Sequence, residues 1–260
     1  MGQTVTGQTV YRDRPLRFQS LTVAEADFPP LQAPSGIPGT FKIRVAKRSG
    51  TRQDARTLVQ RKYSGRGYVI PSGAQQPRIL TFIAYDEGQV VGTVGLGSDL
   101  GQGLSADELY PPEIDRLRAE GYRVCEFTRL AVDRSSASKS VLAGLFHTAY
   151  LYASSIRGYT HAVIEVNPRH VAFYGKELQF EVIGQERMNK RVNAPAVLLC
   201  VPFKNIADGL RKYAGKTARP GTKRTLFHYG FPPDQEVGVL KRLQRLVLAA
   251  GAGPGPPPES

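Results

Sequence analysis

Val124-Cys-Glu-Phe-Thr-Arg-Leu-Ala-Val-Asp133 is the stretch on which the reading of this chain turns. Val124, Phe127, Leu130, Ala131 and Val132 form a short, continuous apolar run, the pattern of a strand covered on both faces. Glu126 and Arg129 interrupt it. A charge inside such a strand is costly unless it is paired or opens onto a cleft. Strict alternation would send residues three apart to opposite faces of the sheet. A β-bulge between them would bring both into one cleft. The pair therefore reads either as reactive groups or as a buried structural ion pair.

Working outward, the neighbouring segments alternate strand and helix signals. Residues 79–85 and 90–96 are β-rich and meet at Asp86-Glu87-Gly88-Gln89, a hairpin. Pro111 and Pro112 open a short helix over 112–120 that Gly121 closes. After the opening strand comes an amphipathic helix over 138–157, with Val141, Leu142, Leu145, Phe146, Ala149 and Tyr150 on one face. A strand over 161–166, a helix from Pro168 to about Leu178, and strands over 181–187 and 196–203 follow. Upstream, residues 41–46 alternate apolar and basic as a half-buried strand does, and a helix runs from Thr51 to about Tyr63. Strand–helix–strand across 122–166 implies a parallel pair with a right-handed crossover. The predicted class is α/β (α+β): a mixed central sheet with helices on both faces.

The totals set bounds. A chain of 260 residues suits one domain with appendages, or two domains. Residues 1–40, with Gly-Gln-Thr-Val at 2–5 and again at 7–10, read as an extended or disordered arm. Residues 41–202 form the domain. Residues 203–260 form a basic extension, with helices over 204–214 and 235–249 and a mobile Pro/Gly-rich end. A net charge of +13 favours a polyanion, an anionic membrane or an acidic protein as partner. The 235–249 helix could lie on a membrane surface or pack on its own domain. Cys125 and Cys200 sit in apolar runs and read as buried reduced thiols, which suits a cytoplasmic protein. Two cysteines and four histidines give no zinc pattern, so no metal is expected. No apolar run is long enough to span a bilayer. Gly2 and Thr6 match the short N-myristoylation pattern.

The order of elements resembles the GNAT acyltransferase fold. Asn167-Pro-Arg-His-Val-Ala-Phe173-Tyr174 resembles the Asn and aromatic-Tyr motif that follows the fifth strand of GNAT enzymes. The Gly-Phe pair that comes next in that family is Gln179-Phe180 here. Glu126-Phe-Thr-Arg129-Leu-Ala-Val132 is similar to the Glu-x-x-Arg-x-x-Val of acyl-homoserine-lactone synthases. The N-acyl amino acid synthases are more similar still. The likeness lies in Glu126 and Arg129, Asn167 to His170, Phe173-Tyr174, Arg187, and Val192-Asn-Ala-Pro-Ala-Val-Leu-Leu199. Residues 41–46 and Val91-Gly-Thr-Val94 join them, so the resemblance covers 41–202.

That resemblance implies a bacterial, cytoplasmic enzyme that moves a long acyl chain from acyl carrier protein to the α-amino group of an amino acid. Glu126 is the implied base, directly or through a water, and Arg129 the partner of a carboxylate or a structural partner. Tyr174 is either the proton donor to the leaving thiolate or a packed aromatic. No cofactor is bound; the donor is acyl-phosphopantetheine on its carrier. The chain has no glycine from 122 to 143, where coenzyme A-dependent relatives carry a Gly-rich pyrophosphate loop. The departure favours the carrier-bound donor, with Arg134, Ser136 and Ser138 at the next helix start holding its single phosphate. Those residues could equally form an ordinary helix start. Asn167 either bonds the pantetheine amides or caps the following helix. Asp133 caps a helix or orients Arg129. His147 reads as a satisfied core residue, and His170 as exposed.

A basic face in 187–245 would steer an acidic carrier protein. The competing functions are an acyl-homoserine-lactone synthase, a coenzyme A-dependent GNAT enzyme, and a basic module for nucleic acid. The first ranks lower because the chain has no Trp, and nucleic acid is disfavoured by the intact Glu126/Arg129 pair.

Overall fold

The computed structural model describes residues 21–22, 41–46, 49–64, 79–99, 101, 103–132, 139–190, 192–216 and 225–251. Short β1 (Leu21–Thr22) pairs in parallel with β2 (Lys42–Val45). β3 (Ile79–Asp86) and β4 (Gln89–Ser98) form the expected hairpin. Its two-residue turn uses left-handed Glu87 (φ 46°) and Gly88 (φ 80°), the twist that a tight hairpin needs. β5 (Val124–Val132) and β6 (His161–Val166) are the expected parallel pair. β7 (Glu181–Asn189) and β8 (Ala194–Pro202) form a second hairpin, and β8 inserts beside β6. Among the described residues the sheet has eight strands, ordered β1-β2-β3-β4-β5-β6-β8-β7.

Helices cover both faces. α1 (Ser49–Ser64) and α3 (Lys139–Leu151) both contact β4. α3 ends in a π turn, Tyr152–Ile156, so the expected 138–157 helix is two conformations in series. On its side, a large core joins Phe82, Val94, Leu96, Phe127, Leu145, Phe146, Ile164 and Leu199. α4 (Val171–Leu178), which follows a 3-10 turn at Pro168–His170, closes that face. The other face carries a smaller core around Tyr110, Ile114, Val124, Val163 and Leu198, with α2 (Pro111–Ala119) over it. Cys125 and Cys200 are buried free thiols that belong to different cores. Burial raises both, Cys200 to about 12.

The C-terminal helices are not an appendage. Phe203 and Ile206 of α5 (Phe203–Tyr213), and Val239, Leu243 and Leu246 of α6 (Pro233–Gly251), are all part of the large core. Full burial of each such side chain is worth about 1.5–3 kcal/mol. The buried side of α6 thus packs on its own domain. Lys241 and Arg245 of that helix stay exposed. Among the described residues no helix is long and apolar enough to cross a membrane.

His147 fastens α6 to the domain. Its ring is buried and stacks on Phe231 at 4.7 Å. Nδ1 accepts the Phe231 N–H at 3.0 Å, so the neutral ring carries its proton on Nε2. Nε2 lies 3.3 Å from Glu236 Oε2, an electrostatic contact too poorly aligned for a good hydrogen bond. Burial pushes the imidazole below its ordinary range, and Glu236 only partly opposes this. The core reading of His147 is the one the structure bears out.

Two predictions follow from these contacts. Because the folded-state value of His147 is depressed, the unfolded chain binds its proton first as pH falls below about 6.5. His147 stability is therefore fully present above that pH and shrinks as pH drops toward the folded value. Urea midpoints measured across this range should show that slope, and His147→Gln should flatten it. The other prediction concerns Gln179, which ends α4 in the left-handed conformation (φ 62°, ψ 30°). A side chain there costs about 1–2 kcal/mol, part of which returns through a stiffer unfolded chain. Gln179→Gly should stabilise the protein by about 0.5–1 kcal/mol in denaturant melts.

Candidate active site

The site is built where β5 and β6 part company. Their register runs Val124–His161, Cys125–Ala162, Glu126–Val163, and stops. Beyond Glu126 each strand keeps only its outer neighbour, β4 for β5 and β8 for β6. A wedge therefore opens at the carboxyl ends of two parallel strands, the place where open sheets take ligands.

Glu126 stands at the point of this wedge, 2% exposed. Cys125 and Phe127 belong to the α3-side core, so Glu126 between them faces the α2 side. Its Oε2 accepts a hydrogen bond from the Ser105 N–H at 2.7 Å. Ser105 opens the 3-10 turn Ser105–Glu108, which packs Ala106 into the α2-side core. Across the strand, Gly97 pairs with Glu126; a Cβ there would lie 3.4 Å from the glutamate Cβ. Gly95 is tighter: a Cβ would meet Ile79 Cγ2 at 2.8 Å and Thr128 Cγ2 at 3.2 Å. Two glycines two residues apart keep the β4 surface beside the glutamate flat.

The irregularity that the sequence demanded is present, and it falls on Arg129 itself. Thr93 pairs with Ala131 and Gly95 with Thr128, so Val94 faces two residues, Arg129 and Leu130. Arg129 takes φ 51°, the left-handed conformation of a bulge residue, and its carbonyl accepts from Thr93 Oγ1 at 3.0 Å. The consequence is visible downstream. Leu130 and Val132 pack on the α3-side core as Cys125 and Phe127 do, although strict alternation would invert them. Arg129 is the surplus residue, half-buried and outside that core.

A second carboxylate shares the face of Glu126. Val163 belongs to the α2-side core while Ala162, Ile164 and Val166 belong to the other, so Glu165 points to the α2 side. It accepts from Nδ2 of buried Asn189. Nearby, Arg187 clamps Glu113 with contacts of 2.6 and 3.1 Å, donates to the Leu109 carbonyl at 2.6 Å, and stacks over Tyr110 at 4.6 Å. Arg187, expected on the basic face, is thus half-exposed with its guanidinium engaged by Glu113, Leu109 and Tyr110. The Tyr110 hydroxyl lies 2.6 Å from the Ala196 carbonyl, and burial, with Glu165 adding to it, pushes it up to about 12. It remains a protonated donor at neutral pH.

The other expected residues divide. Asn167 caps the helix that follows: its side chain accepts the Arg169 N–H at 3.3 Å and donates to the Pro195 carbonyl at 3.4 Å. Tyr174 is buried among Phe146, Phe173 and Phe180 on the α3 side, the face opposite Glu126. Arg134, Ser136 and Ser138, with Asp133, lie outside the described residues. Among the described residues no cluster of three or more His, Cys, Asp and Glu is placed to hold a metal ion. Ser105, Gly97 and Glu165 went unread in the sequence. The spacing of Gly95 and Gly97 inside an apolar strand was the signal for the second; a backbone N–H leaves none.

This arrangement offers an oriented, buried carboxylate beside a strand break, as proton abstraction in a sheltered cleft requires. In fold the chain is similar to FeeM, an N-acyl amino acid synthase from uncultured soil microbes. That match has 27% identity and a TM-score of 0.58, over 64% of this chain and 92% of that one. Weaker matches include the CoA-dependent acyl-homoserine lactone synthase MesI (18% identity, TM-score 0.45, 68% and 97% of the two chains). Another is a putative N-acetyltransferase from Lactobacillus plantarum (18% identity, TM-score 0.46, 63% and 98%). A search of curated protein sequences found no match. The sequence profile of the family described as N-acyl amino acid synthase FeeM matches residues 54–202. With the GNAT-like fold and that match in hand, the chain belongs to the N-acyl amino acid synthase FeeM family and is an acyltransferase.

Proposed function

We propose that this enzyme transfers a long-chain acyl group from acyl carrier protein to the α-amino group of an amino acid. The observation that carries the reading is Glu126, a buried carboxylate held by the Ser105 N–H where β5 and β6 diverge. The amine nitrogen attacks the thioester carbon, and Glu126, directly or through a water, takes the amine proton. The C–S bond then breaks, giving an N-acyl amino acid and the carrier thiol. Tyr174 is the proposed donor of the thiol proton. Arg129, presented by the bulge, is proposed to pair the acceptor carboxylate. Arg134, Ser136 and Ser138 are proposed to hold the phosphopantetheine phosphate, and Asn167 its amides.

The choice of carrier protein rests on two features. Residues 122–143 contain no glycine, so no Gly-rich pyrophosphate loop precedes α3. The net charge of +13 suits an acidic donor protein, whose association would be steered by the field.

Incubation with long-chain acyl carrier protein and mixed amino acids should yield an amide detectable by mass spectrometry. No amide with any amino acid overturns the reading, and turnover with acyl-coenzyme A alone overturns the choice of donor. kcat/KM for the acyl carrier protein should fall as salt is added. Glu126→Gln keeps an acceptor for Ser105 while removing the base. It should lower kcat by about 100-fold or more with the melting temperature unchanged.

A further inference from the structure

Residues 99–115 contain Asp99, Asp107, Glu108, Glu113 and Asp115 and no Lys or Arg, in a chain of net charge +13. This acidic segment leaves β4, delivers the Ser105 N–H to Glu126, and enters α2. Arg118 of α2 gathers it. Its two terminal nitrogens grip both Asp107 oxygens at 2.7 and 2.6 Å, and its Nε grips Asp99 at 2.7 Å. Nη1 also reaches the exposed Asp115 at 2.9 Å. Asp107 Oδ2 in turn accepts the Leu104 N–H at 2.5 Å, one residue before Ser105. Gly103 makes the approach possible: its φ is 82°, and a Cβ would lie 2.7 Å from Asp107 Oδ2. The chain of contacts runs unbroken from Arg118 through Asp107 and Leu104 to the backbone that touches Glu126.

Burial alone does not explain this network. Leu104, Ala106 and Tyr110 already anchor the turn to the α2-side core. What apolar contacts cannot supply is aim: the Ser105 N–H to carboxylate bond depends on angle as well as distance, and a functional group has to be held to within about 0.5 Å. A planar guanidinium gripping two carboxylates at once fixes distance and angle together. The two ends of this grip are sheltered, with Arg118, Asp99 and Asp107 side chains 30%, 16% and 22% exposed.

We propose that Arg118 is a positioning residue: acting through Asp107 and Asp99, it holds the Ser105 N–H on Glu126 and so tunes that carboxylate for acyl transfer. The inference rests on the reading of Glu126 as the base. Other charged or titratable groups on the surrounding elements include Glu108, Tyr110, Glu113, Arg129, His161, Glu165 and Arg187. Arg187 meets the far end of the same segment, through the Leu109 carbonyl and Glu113.

The test uses the full chain and two variants, Asp107→Asn, which is isosteric, and Arg118→Lys, which keeps the charge and loses the fork. Melting curves establish that both fold. The acidic limb of the kcat pH profile should move to higher pH by about one unit, because the charged carboxylate loses a donor. KM for the acyl donor should not change. Amide exchange at Ser105 should quicken by about tenfold or more. An unmoved limb in both folded variants overturns the proposal, even where overall activity falls. Unchanged Ser105 exchange overturns it independently of the chemistry. An acidic limb that survives in Glu126→Gln instead counts against the base reading, and Ser105 exchange then decides the positioning contact alone.

Discussion

A carboxylate buried in the middle of a sheet must be met by a donor that the fold itself delivers, and much of this structure is arranged around that demand. The Ser105 N–H meets Glu126, and a backbone donor cannot be moved without moving the chain that carries it. The 3-10 turn at 105–108 therefore has to sit over the strand. Gly95 and Gly97 keep the surface beneath it low, and Gly103 lets the loop close on Asp107. α2 holds the turn from behind through Tyr110 and Arg118.

The second constraint is the parting of β5 and β6. A bulge at Arg129 changes which face each later residue of β5 meets, and the parallel ladder ends just before it. The wedge links two unlike faces: a polar one with Glu126 and Glu165, and an aromatic one with Tyr174 and Phe180. The C-terminal helices deepen the aromatic face. Their docking depends on a neutral His147, because Nδ1 has to accept the Phe231 N–H.

Much of this was legible before any coordinates. The hairpin at Glu87-Gly88, the parallel pair around α3 and the short helix behind Pro111 are local patterns, and each appears where expected. Glu126 and Arg129 stood out because charge inside an apolar strand is costly. Even the bulge was implied by their spacing, although its placement on Arg129 was not. Gln179 shows the limit of pattern: the missing glycine did not remove the left-handed turn, it only strained it.

The sequence by itself determined the elements, the irregularity in β5 and the residues worth watching, because periodicity and turn chemistry act over a few neighbours. The tertiary structure alone decided which of those residues meet. Ser105 and Glu126 are 21 positions apart, Arg187 and Glu113 are 74, and His147 and Phe231 are 84. It tied Arg187 to Glu113 and set Tyr174 on the face away from Glu126. It also made the basic extension part of the core. These outcomes depend on the order of strands in the sheet and on how backbone groups are satisfied across it, and no single stretch of sequence carries that information.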